Sequence, residues 1–186
     1  MPLVILDRDG VINADSDAYI KSLKEWKPLP GSIEAIAQLN RAGYTIAVAT
    51  NQSGLGRGLF DLDDLEAMHE HLRELVEQAG GHIAGIFYCP HHPDEHCHCR
   101  KPKTGLFDAI EKELSIDPKG AIAIGDSLRD LEAALAKGCL PILVRTGKGA
   151  STEQQLTEHN HQSIRNTPVY DSLAEAVNHI IDGKHP

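Results

Sequence analysis

No stretch of the 186 residues has the length and apolarity of a membrane-spanning helix. No secretory leader is visible either, because the first apolar run meets charged residues within a few positions. Positive charge is in deficit: 18 Lys and Arg stand against 27 Asp and Glu, a formal net charge of −9. That balance disfavours a protein that coats nucleic acid or adheres to an anionic membrane. Aromatic residues make up only 4 %, although the apolar fraction of 41 % is ordinary for a globular protein. There is no internal repeat and no low-complexity tract. Cysteines number only four, and three of them fall within residues 89–99. Such clustering points to metal binding in a reducing compartment rather than to a disulfide framework, so the cytoplasm is the expected location. The length is that of one domain, 1–186, with no block large enough for a second.

What is present begins with Leu3-Val4-Ile5-Leu6-Asp7-Arg8-Asp9-Gly10. A short apolar run closed by a turn signal is the pattern of a strand buried on both faces in a parallel sheet. Residues two apart in an extended chain point the same way, so Asp7 and Asp9 face one crevice at the strand's carboxyl end, where ligands of open parallel sheets bind. Gly10 lets the chain turn there. Two such carboxylates can divide a task. One attacks phosphorus to form an aspartyl-phosphate, and the other exchanges the proton of the leaving group and of the attacking water. Their mutual repulsion calls for a divalent cation between them. Taken alone, the same residues are equally well a solvated Asp-Gly turn.

Further along, apolar runs alternate with helical periodicity. Residues 13–30 are polar and mixed, a loop long enough to line a site. Gly31 to Ala42 reads as a helix with Ser32 as N-cap and Gly43 as its stop. Tyr44 to Ala49 is a second buried strand, tipped by Thr50-Asn51-Gln52-Ser53-Gly54. Leu62 to Ala79 is an amphipathic helix with Leu65, Met68, Leu72, Leu75 and Val76 on one face, capped by Asp61 or Asp63. Ile83 to Tyr88 is a third strand, Leu106 to Leu114 a helix, and Ala121 to Ile124 a fourth strand ending in Gly125-Asp126-Ser127. Leu128 to Lys137 is a helix stopped by Gly138, and Pro141 to Val144 a fifth strand. Residues 150–167 are polar and expected to be mobile in part; Val169-Tyr170 makes a last short strand and Leu173 to Ile181 the closing helix. The alternation predicts an α/β fold with a mostly parallel sheet.

The other strand tips supply what Asp7 and Asp9 lack. The Thr50 hydroxyl and Asn51 amide suit hydrogen bonds to phosphoryl oxygens. Asp126 and Asp130, at the start of a helix, complete an oxygen-ligand set for Mg²⁺, or serve only as an N-cap and a first-turn acid. Arg100-Lys101-Pro102-Lys103 places three cations in four residues, suited to phosphate or else a solvated basic turn. Asp7-x-Asp9-Gly10, Thr50-Asn51, a lysine in 101–103 and Gly125-Asp126-Ser127-x-x-Asp130 together resemble the haloacid dehalogenase (HAD) phosphatase superfamily, over residues 3 to about 149. The resemblance implies a three-layer Rossmannoid sheet of strand order 5-4-1-2-3, Asp7 as nucleophile and Asp9 as acid–base, with Thr50 and the lysine at the phosphoryl group. It also implies Mg²⁺ held by Asp7, the Asp9 carbonyl and Asp126, with Asp130 in support.

Cys89, His91, Cys97 and Cys99 form a Cys₃His set for a structural zinc, which would staple the loop 89–103 and fix Arg100 and Lys101 over the site. His92, His96 and His98 are rival ligands, and a disulfide between two of the cysteines is the alternative. Cys139 is expected in the core. With this loop, Asp-Arg-Asp-Gly and Asn51-Gln52-Ser53-Gly54 with Arg57 look like the D-glycero-D-manno-heptose-1,7-bisphosphate 7-phosphatase family. That resemblance implies that Arg100 contacts substrate, Lys101 steadies the transferring phosphoryl group and Lys103 is accessory. It implies substrate-lining stretches at Asp15, Ser16, Asp17 and Ala18 and at Thr50, Asn51, Gln52 and Ser53, with Arg57 beside them. Ser127 departs from relatives that carry lysine there, which leaves the contact to the distal phosphate open. No insertion is long enough for a cap domain, and an open site suits a fairly large substrate. The implied activity is Mg²⁺-dependent removal of the 7-phosphate by a monomer, in supply of heptose for lipopolysaccharide or related polymers. Other readings are a histidinol-phosphate phosphatase, a phospho-receiver, and a non-catalytic zinc-stapled binding module.

Overall fold

The computed structural model describes residues 2–183, so positions 1 and 184–186 of the expected unit 1–186 lie outside the described residues. The chain runs β1 (Leu3–Leu6), α1 (Ser32–Arg41), β2 (Thr45–Asn51), α2 (Ser53–Gly56), α3 (Leu62–Gln78), β3 (Gly85–Cys89), α4 (Gly105–Leu114), β4 (Ile122–Gly125), α5 (Leu128–Ala136), β5 (Leu140–Val144), α6 (Gly149–Leu156), α7 (Gln162–Arg165), β6 (Val169–Tyr170) and α8 (Leu173–Ile181). The strands form one parallel sheet in the order β3-β2-β1-β4-β5-β6. Read from the opposite edge, this differs from the expected 5-4-1-2-3 by the sixth strand, β6, which extends the sheet beyond β5.

Strand alternation divides the core into two layers. Val4, Leu6, Ile46, Val48, Ile122, Ile124, Ile142 and Val144 pack with residues of α1, α3 and α8, including Ile36, Leu39, Leu65, Leu72 and Val177. Leu3, Ile5, Ala47, Ala49, Ala121 and Ala123 pack on the other face with Leu106, Phe107 and Ile110 of α4 and Ala133 and Ala134 of α5. Both faces of β1 are therefore covered, which is why its four residues are all apolar and buried. Between β1 and α1 the chain forms only isolated bridges, Asp9–Asn13 and Asn13–Pro28, and between β3 and α4 only one 3₁₀ turn, Pro93–Glu95. The carboxyl ends of β1, β2 and β4 are left uncovered by any inserted domain.

Several boundaries depart from expectation. Gly31, not Ser32, occupies the N-cap of α1 in a left-handed conformation, and the Ser32 hydroxyl instead donates to the Ile12 carbonyl at 2.6 Å. β2 runs on to Asn51 because Thr50 and Asn51 pair with Tyr88 and Cys89. Residues 150–167 form most of α6 and all of α7: Leu156 and Ile164 bury themselves against Leu131 and Leu143, two anchors in an otherwise polar stretch. Asp61 caps α3 in a reciprocal box with Asp64. No helix among the described residues is long and apolar enough to cross a membrane.

Candidate active site

A cavity of about 210 Å³ opens over the carboxyl ends of β1, β2 and β4. Asp7 follows β1, Asp126 follows β4, and Asp130 stands in the first turn of α5; carboxylate oxygens of all three lie within 4.8 Å of one another. The Lys101 side chain, only 3 % exposed, reaches in from the loop after β3. Its ammonium lies 3.1 Å from Asp7 Oδ1 and 2.6 Å from Asp130 Oδ1, and donates to the Ala49 carbonyl at 2.7 Å. Asn51 fixes that loop by a two-way bond to the Lys101 backbone: Nδ2 donates to the carbonyl at 3.1 Å and Oδ1 accepts the amide at 3.0 Å. Asp130 Oδ2 accepts from the Asp126 and Ser127 amides and the Ser127 hydroxyl, so it holds the β4–α5 turn while its other oxygen holds Lys101.

The electrostatics describe a site short of positive charge. Burial, then the nearby Asp130, pushes the Asp7 carboxyl up to about 7, against the pull of Lys101. Burial followed by repulsion from Asp7 and Asp130 pushes Asp126 up to about 9. Burial also works against ionised Asp130, but Lys101 and the Ser127 donors overcome it and hold that carboxyl below its usual range. Burial likewise opposes the Lys101 charge, yet Asp130 and Asp7 keep its ammonium above the usual lysine range. A divalent cation offsets the burial and repulsion that raise the Asp7 and Asp126 carboxyls, and clustered hard oxygen donors suit Mg²⁺. The chain leaves room on purpose: Gly10 has φ +86°, and a Cβ there would lie 2.0 Å from Asp126 Oδ2.

Asp9 is held apart from this trio. Its Oδ1 accepts from Arg8 Nε at 2.8 Å and Asn13 Nδ2 at 2.9 Å and lies 2.8 Å from Arg8 Nη2; its Oδ2 accepts from Gln52 Nε2 at 3.1 Å. Arg8 is fully buried and also contacts His69 Nε2 at 3.1 Å. Burial, then the Arg8 charge, presses the His69 pKa down to about 3, so the ring is neutral and Nε2 accepts from Arg8. Thr50, 1 % exposed, takes a hydrogen bond on Oγ1 from Gln52 Nε2 at 2.9 Å and lines the cavity.

Beside the site, one ligand atom from each of Cys89, His91, Cys97 and Cys99 lies within 4.8 Å of the others. The Cys89 sulfur is 3.0 Å from that of Cys99 and 3.5 Å from that of Cys97, well beyond the roughly 2.05 Å of a disulfide. All four cysteines are free, and Cys139 is buried in the core as expected. Cys₃His converging with no fifth position is a structural zinc set. Among the described residues the rivals His92, His96 and His98 stand outside it.

Of the remaining expected residues, Asp15, Ser16, Asp17, Asn51, Gln52, Ser53 and Arg100 line the cavity. Ala18, Arg57 and Lys103 do not. Arg57 lies over the Tyr19 ring at 5.8 Å, outside the cavity wall. Lys103 Nζ turns back to the Cys97 carbonyl at 2.7 Å, so it braces the cysteine loop. Ala18 is exposed; its amide donates to the Ser16 hydroxyl and its carbonyl accepts from Lys21 Nζ at 3.0 Å. Sequence reasoning missed Tyr19, Arg129 and Lys148 in the lining, and the Arg8–His69 contact. Arg129 had a signal: a cation in the first turn of a helix, α5, opposes the helix dipole. Among the described residues neither the Arg100 nor the Arg129 guanidinium has an ion-pair partner, and the two repel each other across the cavity.

Comparison with known proteins accords with this geometry. Residues 98–176 match the HAD-hydrolase-like family model. The D-glycero-beta-D-manno-heptose-1,7-bisphosphate 7-phosphatase of Pseudomonas putida is 55 % identical over 97 % of this chain and 100 % of its own. The enzyme of that name from Pseudomonas aeruginosa is 60 % identical over 81 % of this chain and 84 % of its own. Among solved structures, the D,D-heptose 1,7-bisphosphate phosphatase of Bordetella bronchiseptica, complexed with magnesium and phosphate, superposes with a TM-score of 0.91 at 47 % identity, covering 98 % of this chain and 99 % of that one.

Proposed function

Because the chain belongs to the heptose-1,7-bisphosphate 7-phosphatase family of HAD-like hydrolases, we propose that it hydrolyses the 7-phosphate of D-glycero-D-manno-heptose 1,7-bisphosphate and leaves the 1-phosphate. The observation that carries the reading is one cavity lined by Asp7, Asp9, Lys101 and Asp126 and also by Arg100 and Arg129, whose guanidinium groups have no ion-pair partner among the described residues. A substrate with one phosphate fills the first set only; a bisphosphate fills both.

In this mechanism a carboxylate oxygen of Asp7 attacks phosphorus, and the bond from phosphorus to the C7 oxygen breaks. Asp9 gives its proton to the departing alkoxide, then takes one from the water that attacks the aspartyl-phosphate, a division worth roughly 10²–10⁴ in rate. Lys101 stabilises the charge that gathers on the phosphoryl oxygens, and the Thr50 hydroxyl adds a hydrogen bond to them. Asp130 keeps Lys101 in place and the β4–α5 turn closed. Mg²⁺, held by Asp7, Asp126 and the Asp9 carbonyl with Asp130 in support, supplies charge neutralisation at the phosphoryl oxygens when bound. Zinc on Cys89, His91, Cys97 and Cys99 holds the loop that carries Arg100 and Lys101. Asp15, Ser16, Asp17, Asn51, Gln52 and Ser53 shape the walls around the sugar.

The test is steady-state phosphate release from the heptose bisphosphate and from histidinol phosphate, each with and without Mg²⁺, with ³¹P NMR of the product. A strong Mg²⁺-dependent preference for the bisphosphate with the 1-phosphate retained supports the reading; preference for histidinol phosphate overturns it. The exposed large apolar side chains, Leu23, Leu59, Leu62, Leu140 and Ile181, are spread over four parts of the chain, which favours a monomer; sedimentation decides. The thiol-rich zinc set favours a reducing compartment, the cytoplasm.

A further inference from the structure

We propose that Arg8 and His69 are positioning residues that lock the carboxylate of Asp9, turning Oδ1 into the protein and leaving Oδ2 as the oxygen that exchanges the proton. The inference rests on the reading of Asp9 as the acid–base group and assigns which of its atoms acts.

The two oxygens of Asp9 are not equivalent. Oδ1 meets Arg8 Nε and Nη2, both at 2.8 Å, and Asn13 Nδ2 at 2.9 Å. A carboxylate oxygen has two lone-pair directions, and the hydrogen bonds from Arg8 Nε and Asn13 Nδ2 fill both, while Nη2 adds its charge at close range without a hydrogen bond of its own. Oδ2 meets only Gln52 Nε2, at 3.1 Å, and keeps acceptor capacity. Asp9 lines the cavity with its side chain 22 % exposed, whereas Arg8 has 0 % exposure. Removing one partner of a buried pair leaves an uncompensated charge, which is strongly destabilising. If the Asp9 side chain rotated away, it would strand a fully buried guanidinium, so the burial of Arg8 is what resists that rotation.

His69 completes the lock from another element. It lies on the core-facing side of α3, where the other buried residues are Leu65, Met68, Leu72 and Val76. A buried polar residue on an apolar face needs a partner, and its Nε2 accepts a hydrogen bond from Arg8 Nη1 at 3.1 Å. The guanidinium is thereby held on two sides, with Nε on Asp9 and Nη1 on His69. Only a planar guanidinium has donors at these angles; a lysine ammonium does not.

Leaving-group dependence separates this role from a merely structural one. Expulsion of a sugar alkoxide needs the proton of Asp9, whereas expulsion of p-nitrophenolate does not. His69→Leu, Arg8→Met and His69→Gln should be compared with Asp9→Asn by the first-turnover (burst) rate of leaving-group release from the heptose bisphosphate and from p-nitrophenyl phosphate, with KM and melting temperatures recorded. The expected result for His69→Leu is a fall of about tenfold in the first-turnover rate on the sugar phosphate, part of the total worth of acid–base catalysis, with KM nearly unchanged and the burst of p-nitrophenolate less affected. His69→Gln, whose side-chain oxygen can accept from Nη1, should recover most of the loss. Arg8→Met should add no further loss on the sugar phosphate when Asp9→Asn is already present. Equal loss of the first-turnover rate on both substrates, or full activity of His69→Leu while Asp9→Asn is inactive, overturns the lock but spares the acid–base reading. Full activity of Asp9→Asn overturns both. Should Arg8→Met fail to fold, the two His69 variants decide alone.

Discussion

Replacing Lys101 with Met tests the electrostatics of the site in one step. The substitution keeps the aliphatic stem but removes an ammonium that lies 3.1 Å from Asp7 and 2.6 Å from Asp130, both little exposed. Breaking a buried pair by removing one partner costs about 3–5 kcal/mol, because the orphaned charge stays behind. For a chain of this length each kcal/mol moves the melting temperature by about 2–4 °C, so a fall of roughly 6–20 °C is expected in the metal-free protein. The sign with pH follows from Asp130. Lys101 lowers its folded pKa below 3.8, so in the native protein this carboxylate contributes stability above that value and loses it as pH falls. Without Lys101, burial raises the same pKa, and the contribution is present at low pH and lost as pH rises. The gap in melting temperature between native protein and variant should therefore widen as pH rises above the ordinary carboxylate range. Phosphate release should fall roughly 10²–10³-fold, the worth of one preorganised donor to a developing charge. Differential scanning fluorimetry and a phosphate-release assay suffice. A variant that melts like the native protein at every pH, or keeps its rate, would refute the ion-pair argument.

Metal-free protein should lose stability as pH rises through about 7 and about 9, where Asp7 and Asp126 ionise in the fold after unfolded values near 3.8. The stabilisation by added Mg²⁺ should grow over the same range, and a melting shift independent of pH would count against the shared carboxylate site. Cys97→Ser should lose zinc, measured by elemental analysis, and raise KM for the sugar phosphate, because Arg100 and Lys101 follow the loop directly; a zinc-free variant with native KM would show the staple to be dispensable. Arg129→Ala should raise KM for the bisphosphate about tenfold but leave that for p-nitrophenyl phosphate unchanged, a split that steady-state kinetics resolves.

The chemistry-bearing residues that lie at strand tips were legible because parity and position decide them. Asp7 and Asp126 follow runs that can only be buried strands, and parallel pairing of β1 with β2 and β4 brings those ends together. The Cys₃His set was legible from its donors and spacing. Residues whose side chains choose between two surfaces were not. Lys103 and Arg57 sit within a few positions of the site, yet one turns to the Cys97 carbonyl and the other to the Tyr19 ring. Composition concealed α6 and α7, since only Leu156 and Ile164 anchor them in a polar stretch. His69 was invisible because its partner, Arg8, is 61 residues away and meets it only in the folded chain.

The most direct test of the account is the identity of the nucleophile. Asp9→Asn, incubated with Mg²⁺ and p-nitrophenyl phosphate, lacks the base that activates water but needs no acid to expel the phenolate, so the phosphoenzyme should accumulate. Acid quenching followed by peptide mass spectrometry is predicted to find one phosphoryl group, on Asp7. A phosphoryl group on any other residue, or turnover with no covalent intermediate at any time point, would contradict the account.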